Sequence, residues 1–179
     1  FAVTVDKKAD GGYDVTVQTT ISAWTNDNSS HEFVAKEYVV VNVETPGTLG
    51  EILVSSGRKL DAIKNIKVIG NVNANDFFFM RDKLDNLASV NMQHTIIYAC
   101  KGPMPFGRYD DEYNWDYPAD AIPEDAFWYG WDSIFDGKKS LTSFIFPQQL
   151  KSIQHNAFGG TKLSGTVTIP EGVLRSEER

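Results

Sequence analysis

The sequence predicts an α/β repeat solenoid, with short parallel strands and helical or irregular returns, preceded by a small β-rich N-terminal cap. Three observations lead there. Residues 141–147 read LTSFIFP and residues 163–170 read LSGTVTIP, with Pro147 and Pro170 standing 23 residues apart. The fragment IPEDAF at residues 122–127 repeats the spacing of IQHNAF at residues 153–158. The apolar template LxxLxL occurs at Ile63, Ile66 and Val68, at Leu87, Val90 and Met92, and at Leu141, Phe144 and Phe146. A unit of about 20 to 25 residues is too small to bury its own apolar face, so neighbouring units must stack around one elongated core. Function on such a scaffold sits on surfaces rather than in a cleft.

In chain order, residues 1–46 do not fit the repeat. Residues 1–5 and 13–19 alternate apolar with polar around Asp10, Gly11 and Gly12, a hairpin signature with turn chemistry at its tip. A polar stretch at 26–32 precedes a third run of β-branched residues at 38–43. About 45 residues rarely fold alone without staples, so a cap on the repeat domain, residues 47–179, is favoured over a separate mini-sheet.

In the repeats, LxxLxL describes a strand whose alternate side chains point inward, preceded by a leucine that closes the turn. The intervening residues then face out on one continuous sheet: Asn65 and Lys67, then Ser89, Asn91 and Gln93, then Ser143 and Ile145, then Thr166 and Thr168. Between the first two strands, residues 76–87 have helical spacing at Phe77, Met80, Leu84 and Leu87, a core face with Asp76 as N-cap. In the Ala-Phe segments the phenylalanine fills the opposite side of the coil. A fourth copy, Val167 and Ile169 with Leu163 displaced by one residue, keeps the alternation. The first two copies lie 24 residues apart, whereas Met92 to Phe146 is 54, which places an insertion at about residues 99–121.

That region gathers Tyr109, Tyr113, Trp115, Tyr117, Trp128, Tyr129 and Trp131 with Asp110, Asp111, Glu112, Asp116 and Asp120. Exposed aromatic rings stack on sugar faces or anchor protein partners, and nearby carboxylates accept hydroxyl hydrogens. The plainer reading is a long loop that packs its aromatics against the flank of the coil. The acidic spacing does not match an EF-hand loop, and no metal or cofactor is expected.

Composition narrows the function class. A formal net charge of -7 argues against nucleic acid, whose binding rests on neutralising phosphates. No apolar run reaches the ~18 residues that span a membrane. The single cysteine, Cys100, excludes an intramolecular disulfide. His31, His94 and His155 lie in neither an HExxH nor a GxSxG context, and His94 near Cys100 has no evident third orienting residue. The glycine-rich GGTKLSGT, residues 159–166, lacks the order of a phosphate-binding loop. A chain opening at Phe1 looks like a mature or trimmed form, compatible with loss of a secretion signal or lipid-anchor cysteine.

Residues 141–173, LTSFIFPQQLKSIQHNAFGGTKLSGTVTIPEGV, resemble the BspA-like leucine-rich repeat surface proteins of Bacteroidetes, whose repeat looks like "L.sI.iP..v.sIg..aF..c..L". Residues 47–53 and 70–82 are similar to the lead-in common in that family, so the resemblance covers roughly residues 47–173. It implies a cell-surface or extracellular, non-enzymatic binding or adhesion module for a host protein or glycan, presented by the sheet face and the aromatic insertion. The alternative is a structural spacer or assembly unit of the bacterial envelope, with self-association through the uncapped C-terminal end, where EGVLRSEER replaces a further repeat.

Overall fold

The structure is a computed structural model. It describes residues 37–102, 115–129 and 136–173 in full and residues 2–7, 13–18 and 175–176 in backbone. The chain divides into two compact units, residues 1–35 and 36–179. In the first, β1 (Ala2–Lys7) and β2 (Tyr13–Gln18) pair antiparallel from Ala2↔Gln18 to Lys7↔Tyr13, as the alternation predicts.

The second unit is mixed α/β with open parallel sheets and few helices. In chain order it comprises β3 (Val39–Val43), α1 (Leu49–Ser55), a 3-10 turn (Leu60–Ala62), β4 (Asn65–Val72), α2 (Ala74–Lys83), β5 (Ser89–Ile97), β6 (Cys100–Gly102), β7 (Trp115–Tyr117), β8 (Ala121–Ile122), β9 (Ser143–Ile145), β10 (Ser152–Ile153) and β11 (Arg175–Ser176). A four-stranded parallel sheet runs β3-β4-β5-β9, and a three-stranded parallel sheet runs β8-β10-β11.

Register follows the apolar template. Val39 lies beside Ile66, Ile66 beside Val90, and Val90 beside Phe144. Ile63, Ile66 and Val68, Leu87, Val90 and Met92, and Leu141, Phe144 and Phe146 are all buried. The backbone repeats too. Lys64 O accepts from Ala88 N at 2.7 Å and Ser89 N at 3.0 Å, and Ala88 O accepts from Thr142 N at 2.9 Å and Ser143 N at 3.1 Å. On the other side Asp120 O accepts from Lys151 N at 2.8 Å and Ser152 N at 3.4 Å. The strands β5, β9 and β10 are thus each started by one carbonyl just ahead of the neighbouring strand, which pairs backbone donors that would otherwise need another partner.

The core lies between the two sheets, where the Ala-Phe segments meet the strand side chains. Phe127 stacks on its counterpart Phe158 at 5.5 Å between centroids and meets Phe77 and Phe144 edge-on at 6.3 and 5.8 Å. Such pairs add about 0.5–1.5 kcal/mol each beyond area burial. Ala126 and Ala157 are fully buried beside them, where a larger side chain would force the turns apart.

The helix on residues 76–87 begins earlier than predicted. Asn73 is the N-cap, accepting from Asn75 N at 3.0 Å, while Asp76 Oδ2 accepts from Asn73 N at 2.8 Å. Asp76 is therefore the reciprocal member of a capping box. It also accepts from Gly47 N at 2.7 Å and Leu49 N at 2.9 Å, so one buried carboxylate caps α2 and holds the start of α1. Burial raises its pKa, opposed by these three N–H donors. Phe77, Met80, Leu84 and Leu87 form the expected core face.

Three expectations change. The module boundary moves from residue 46 to residue 35, because β3 joins the parallel sheet beside β4. The fourth copy forms no strand: Lys162 N and Ser164 N bond Leu141 O and Thr142 O, but Val167 and Ile169 are 41% and 50% exposed. The insertion is two detours. The first leaves after Ile97 and closes where Asp120 N donates to Ile97 O at 2.9 Å, and the second closes where Lys138 N donates to Phe127 O at 2.8 Å.

Candidate functional site

The outward face of the four-stranded sheet is built by the pleat. In register across β3, β4, β5 and β9, Val40, Lys67, Asn91 and Ile145 form one row. Asn42, Ile69 and His94 form the next. Adjacent strands are about 4.8 Å apart, so a row presents about 14 Å of surface. Val40 and Ile145 are exposed at its ends, with Lys67 and Asn91 half-buried between them.

The predicted face residues fare differently. Asn65 is half-buried, its Nδ2 donating to Glu37 O at 3.0 Å. Ser89 is a correction: it is fully buried, because Tyr38 reaches across the sheet and its hydroxyl hydrogen-bonds Ser89 Oγ at 2.9 Å. Asn91 uses its Oδ1 to accept from Gln93 N at 3.0 Å. Gln93 is exposed, but it sits at an irregularity where β5 carries one more residue than β4 between the pairs Lys67↔Asn91 and Ile69↔His94. A bulge of this kind flips the alternation, so His94 takes the outward place. Ser143 is half-buried on the edge strand. Thr166 and Thr168 are exposed but lie outside any strand, so they are not part of this face.

Tyr38, Val40, Asn42, Ile69 and His94 were not foreseen as face residues. For Val40 and Asn42 the signal is present in the run YVVVNV at 38–43, whose Val41 and Val43 are buried and whose Val40 and Asn42 are exposed.

The insertion is a second candidate. β6 and β7 pair antiparallel, Cys100↔Tyr117 to Gly102↔Trp115. Tyr117 is corrected as an exposed stacking ring: it is 3% exposed and packs edge-on against Phe78 at 5.5 Å. The Arg81 guanidinium stands 4.7 Å from the centre of that same Phe78 ring. Burial first, then the charges of Glu124 and Asp125, raises the Tyr117 phenol far above its ordinary pKa. Trp115 and Trp128 are half-buried, Trp128 in an antiparallel bridge to Gly137. Tyr109, Tyr113, Trp131 and the acidic run Asp110, Asp111 and Glu112 lie outside the described residues. An open cleft of about 670 Å³ runs along the hairpin, lined by Cys100, Lys101, Asp116, Tyr117 and Gln154 among others. Lys101 and Asp116 face each other at 3.4 Å as an exposed pair, the kind that contributes little to stability.

A buried polar cluster lies where α2 ends. Arg81 holds Asp82 bidentately at 2.6 and 2.9 Å and donates from Nη1 to Asp125 O at 2.9 Å. Arg81 O accepts from Lys138 Nζ at 2.9 Å and from the Tyr129 hydroxyl at 2.5 Å. Burial lowers the Lys138 pKa. A cation and a hydroxyl on the last carbonyls of a helix satisfy free acceptors and complement its dipole. The cluster therefore anchors the second detour to α2 rather than presenting reactive groups.

Among the described residues, no group of three or more His, Cys, Asp and Glu is placed to hold a metal. Among them too, no helix is long and apolar enough to cross a membrane. Compared with known proteins, the chain matches no family model and no curated protein.

Proposed function

We propose that residues 36–176 form a leucine-rich-repeat solenoid of the BspA-like kind, acting as a non-enzymatic binding or adhesion module at the cell surface. Its ligand is a host protein or glycan held on the outward strand face. The observation that carries this reading is the shared register, in which Ile66, Val90 and Phe144 line the core while Lys67, Asn91 and Ile145 line the surface. A scaffold of this kind holds surface side chains at fixed spacing, so residues there change without disturbing the fold. Trp115, half-buried in the β6–β7 hairpin and packed on the Ala74, Phe78 and Tyr117 cluster, is a second and separate contact offered by the insertion.

Array binding to glycans and matrix proteins tests it. The chain should retain at least one ligand, and the double variant Lys67→Glu with Ile145→Ser should lose at least tenfold in affinity with unchanged circular dichroism. Trp115→Ala should lose less. No retained ligand, or binding indifferent to all three changes, contradicts the proposal.

The second reading, a spacer or assembly unit, is favoured by one observation: the strand-competent segment 164–170 exposes Val167 and Ile169. Light scattering over a dilution series separates the two. Concentration-dependent association that Val167→Thr with Ile169→Thr removes supports assembly, and a monomer throughout supports the binding module.

A further inference from the structure

The two Ala-Phe turns correspond residue for residue. Asp125 in the first and Asn156 in the second both precede the alanine, and both take the left-handed backbone, with φ 54° and 52°. Asp and Asn are the side chains that best tolerate that region. The backbones match, but one turn carries a neutral amide where the other carries a carboxyl. Asp125 is 3% exposed, and its Oδ1 has no hydrogen-bond partner among the described residues.

The position is a joint between elements. Asp125 N donates to His155 O at 3.0 Å, Asp125 O accepts from Arg81 Nη1 at 2.9 Å, and two residues on, Phe127 N donates to Ala157 O at 2.8 Å. The groups facing the carboxyl are Glu124 on its own turn, His155 and Asn156 on the neighbouring turn, Arg81 from α2, and the Tyr117 phenol from β7. Arg81, whose charge acts on the carboxyl, already holds Asp82 bidentately.

We propose that Asp125 is a proton-operated latch between the two Ala-Phe turns. With its proton it sits as a neutral acid in the place where the second turn has an amide. Without it, a buried charge beside Glu124 loosens residues 121–127 from residues 152–158. Burial, followed by Glu124, raises the Asp125 pKa to about 7, against the opposing effects of His155, Arg81 and the hydrogen bond from Asn156. The folded chain therefore holds this proton more tightly than the unfolded chain. The resulting stability is complete below the ordinary value of 3.8 and is lost progressively as the pH rises to about 7.

The test compares thermal midpoints of the intact chain and Asp125→Asn, which installs the residue the second turn already has. The two should melt together near pH 4, and the variant should melt several degrees higher at pH 8. A difference that stays constant across this range overturns the proposal. His155→Gln should keep the wild-type pH dependence, and its loss in that variant would assign the effect to the imidazole and overturn the proposal. Should Asp125→Asn fail to fold, side-chain carbon NMR of wild-type Asp125 decides. A midpoint near 7 upholds the latch, and one in the ordinary carboxylate range overturns it.

Discussion

The four-stranded sheet and the side that carries the Ala-Phe turns belong to the same compact unit but are held by different physics. On the sheet side, Ile66, Val90 and Phe144 stack in register with apolar neighbours, and the buried polar side chains of β5, Ser89 and Thr95, are uncharged and hydrogen-bonded. On the turn side, strands shrink to two residues. There Asp125, Lys138 and Arg81 are buried, and three non-glycine residues, Asp120, Asp125 and Asn156, sit at positive φ. Apolar columns tolerate change provided volume is kept. Buried polar joints do not, because a lost partner leaves a desolvated group unsatisfied.

Substitutions sharpen this contrast. Phe127→Ala removes the ring shared by Phe77, Phe144 and Phe158 and should cost about 3–5 kcal/mol, read from urea denaturation. A loss under about 1 kcal/mol would mean that the two sides do not share one core. Next comes Asp76→Ala, which leaves the N–H groups of Gly47, Leu49 and Asn73 without their acceptor. The expected loss is about 3 kcal/mol, with α1 amides exchanging faster than those of β5. The smallest effect belongs to the outward face: Ile145→Ser should move stability by less than about 0.5 kcal/mol while weakening ligand binding.

The sheet columns were legible because LxxLxL states inward and outward positions at once, and Ile63 to Phe146 obey it. Three features were not. The extra residue of β5 near Gln93 reverses which side chains face out, and nothing in VNMQHTII distinguishes a bulge from continued alternation. β3 lies 27 residues from its partner in β4, not 24, so it falls outside the period that marks the other strands. The second detour was hidden because Phe127 and Lys138, which close it, form one backbone hydrogen bond that no residue pattern announces. Asp76 was seen as a cap, but its grip on α1 depends on two N–H groups 27 and 29 residues away. The candidate site was half legible: Lys67, Asn91 and Ile145 face out as predicted, whereas Ser89 lies under Tyr38 and Tyr117 packs on Phe78.

Long-range backbone contacts measured by NMR test the stacked register most directly. Cross-peaks should link Lys67 to Asn91 and Asn91 to Ile145 in parallel order, with Val90 slow to exchange. Antiparallel connectivities, or none between residues 91 and 145, would contradict it.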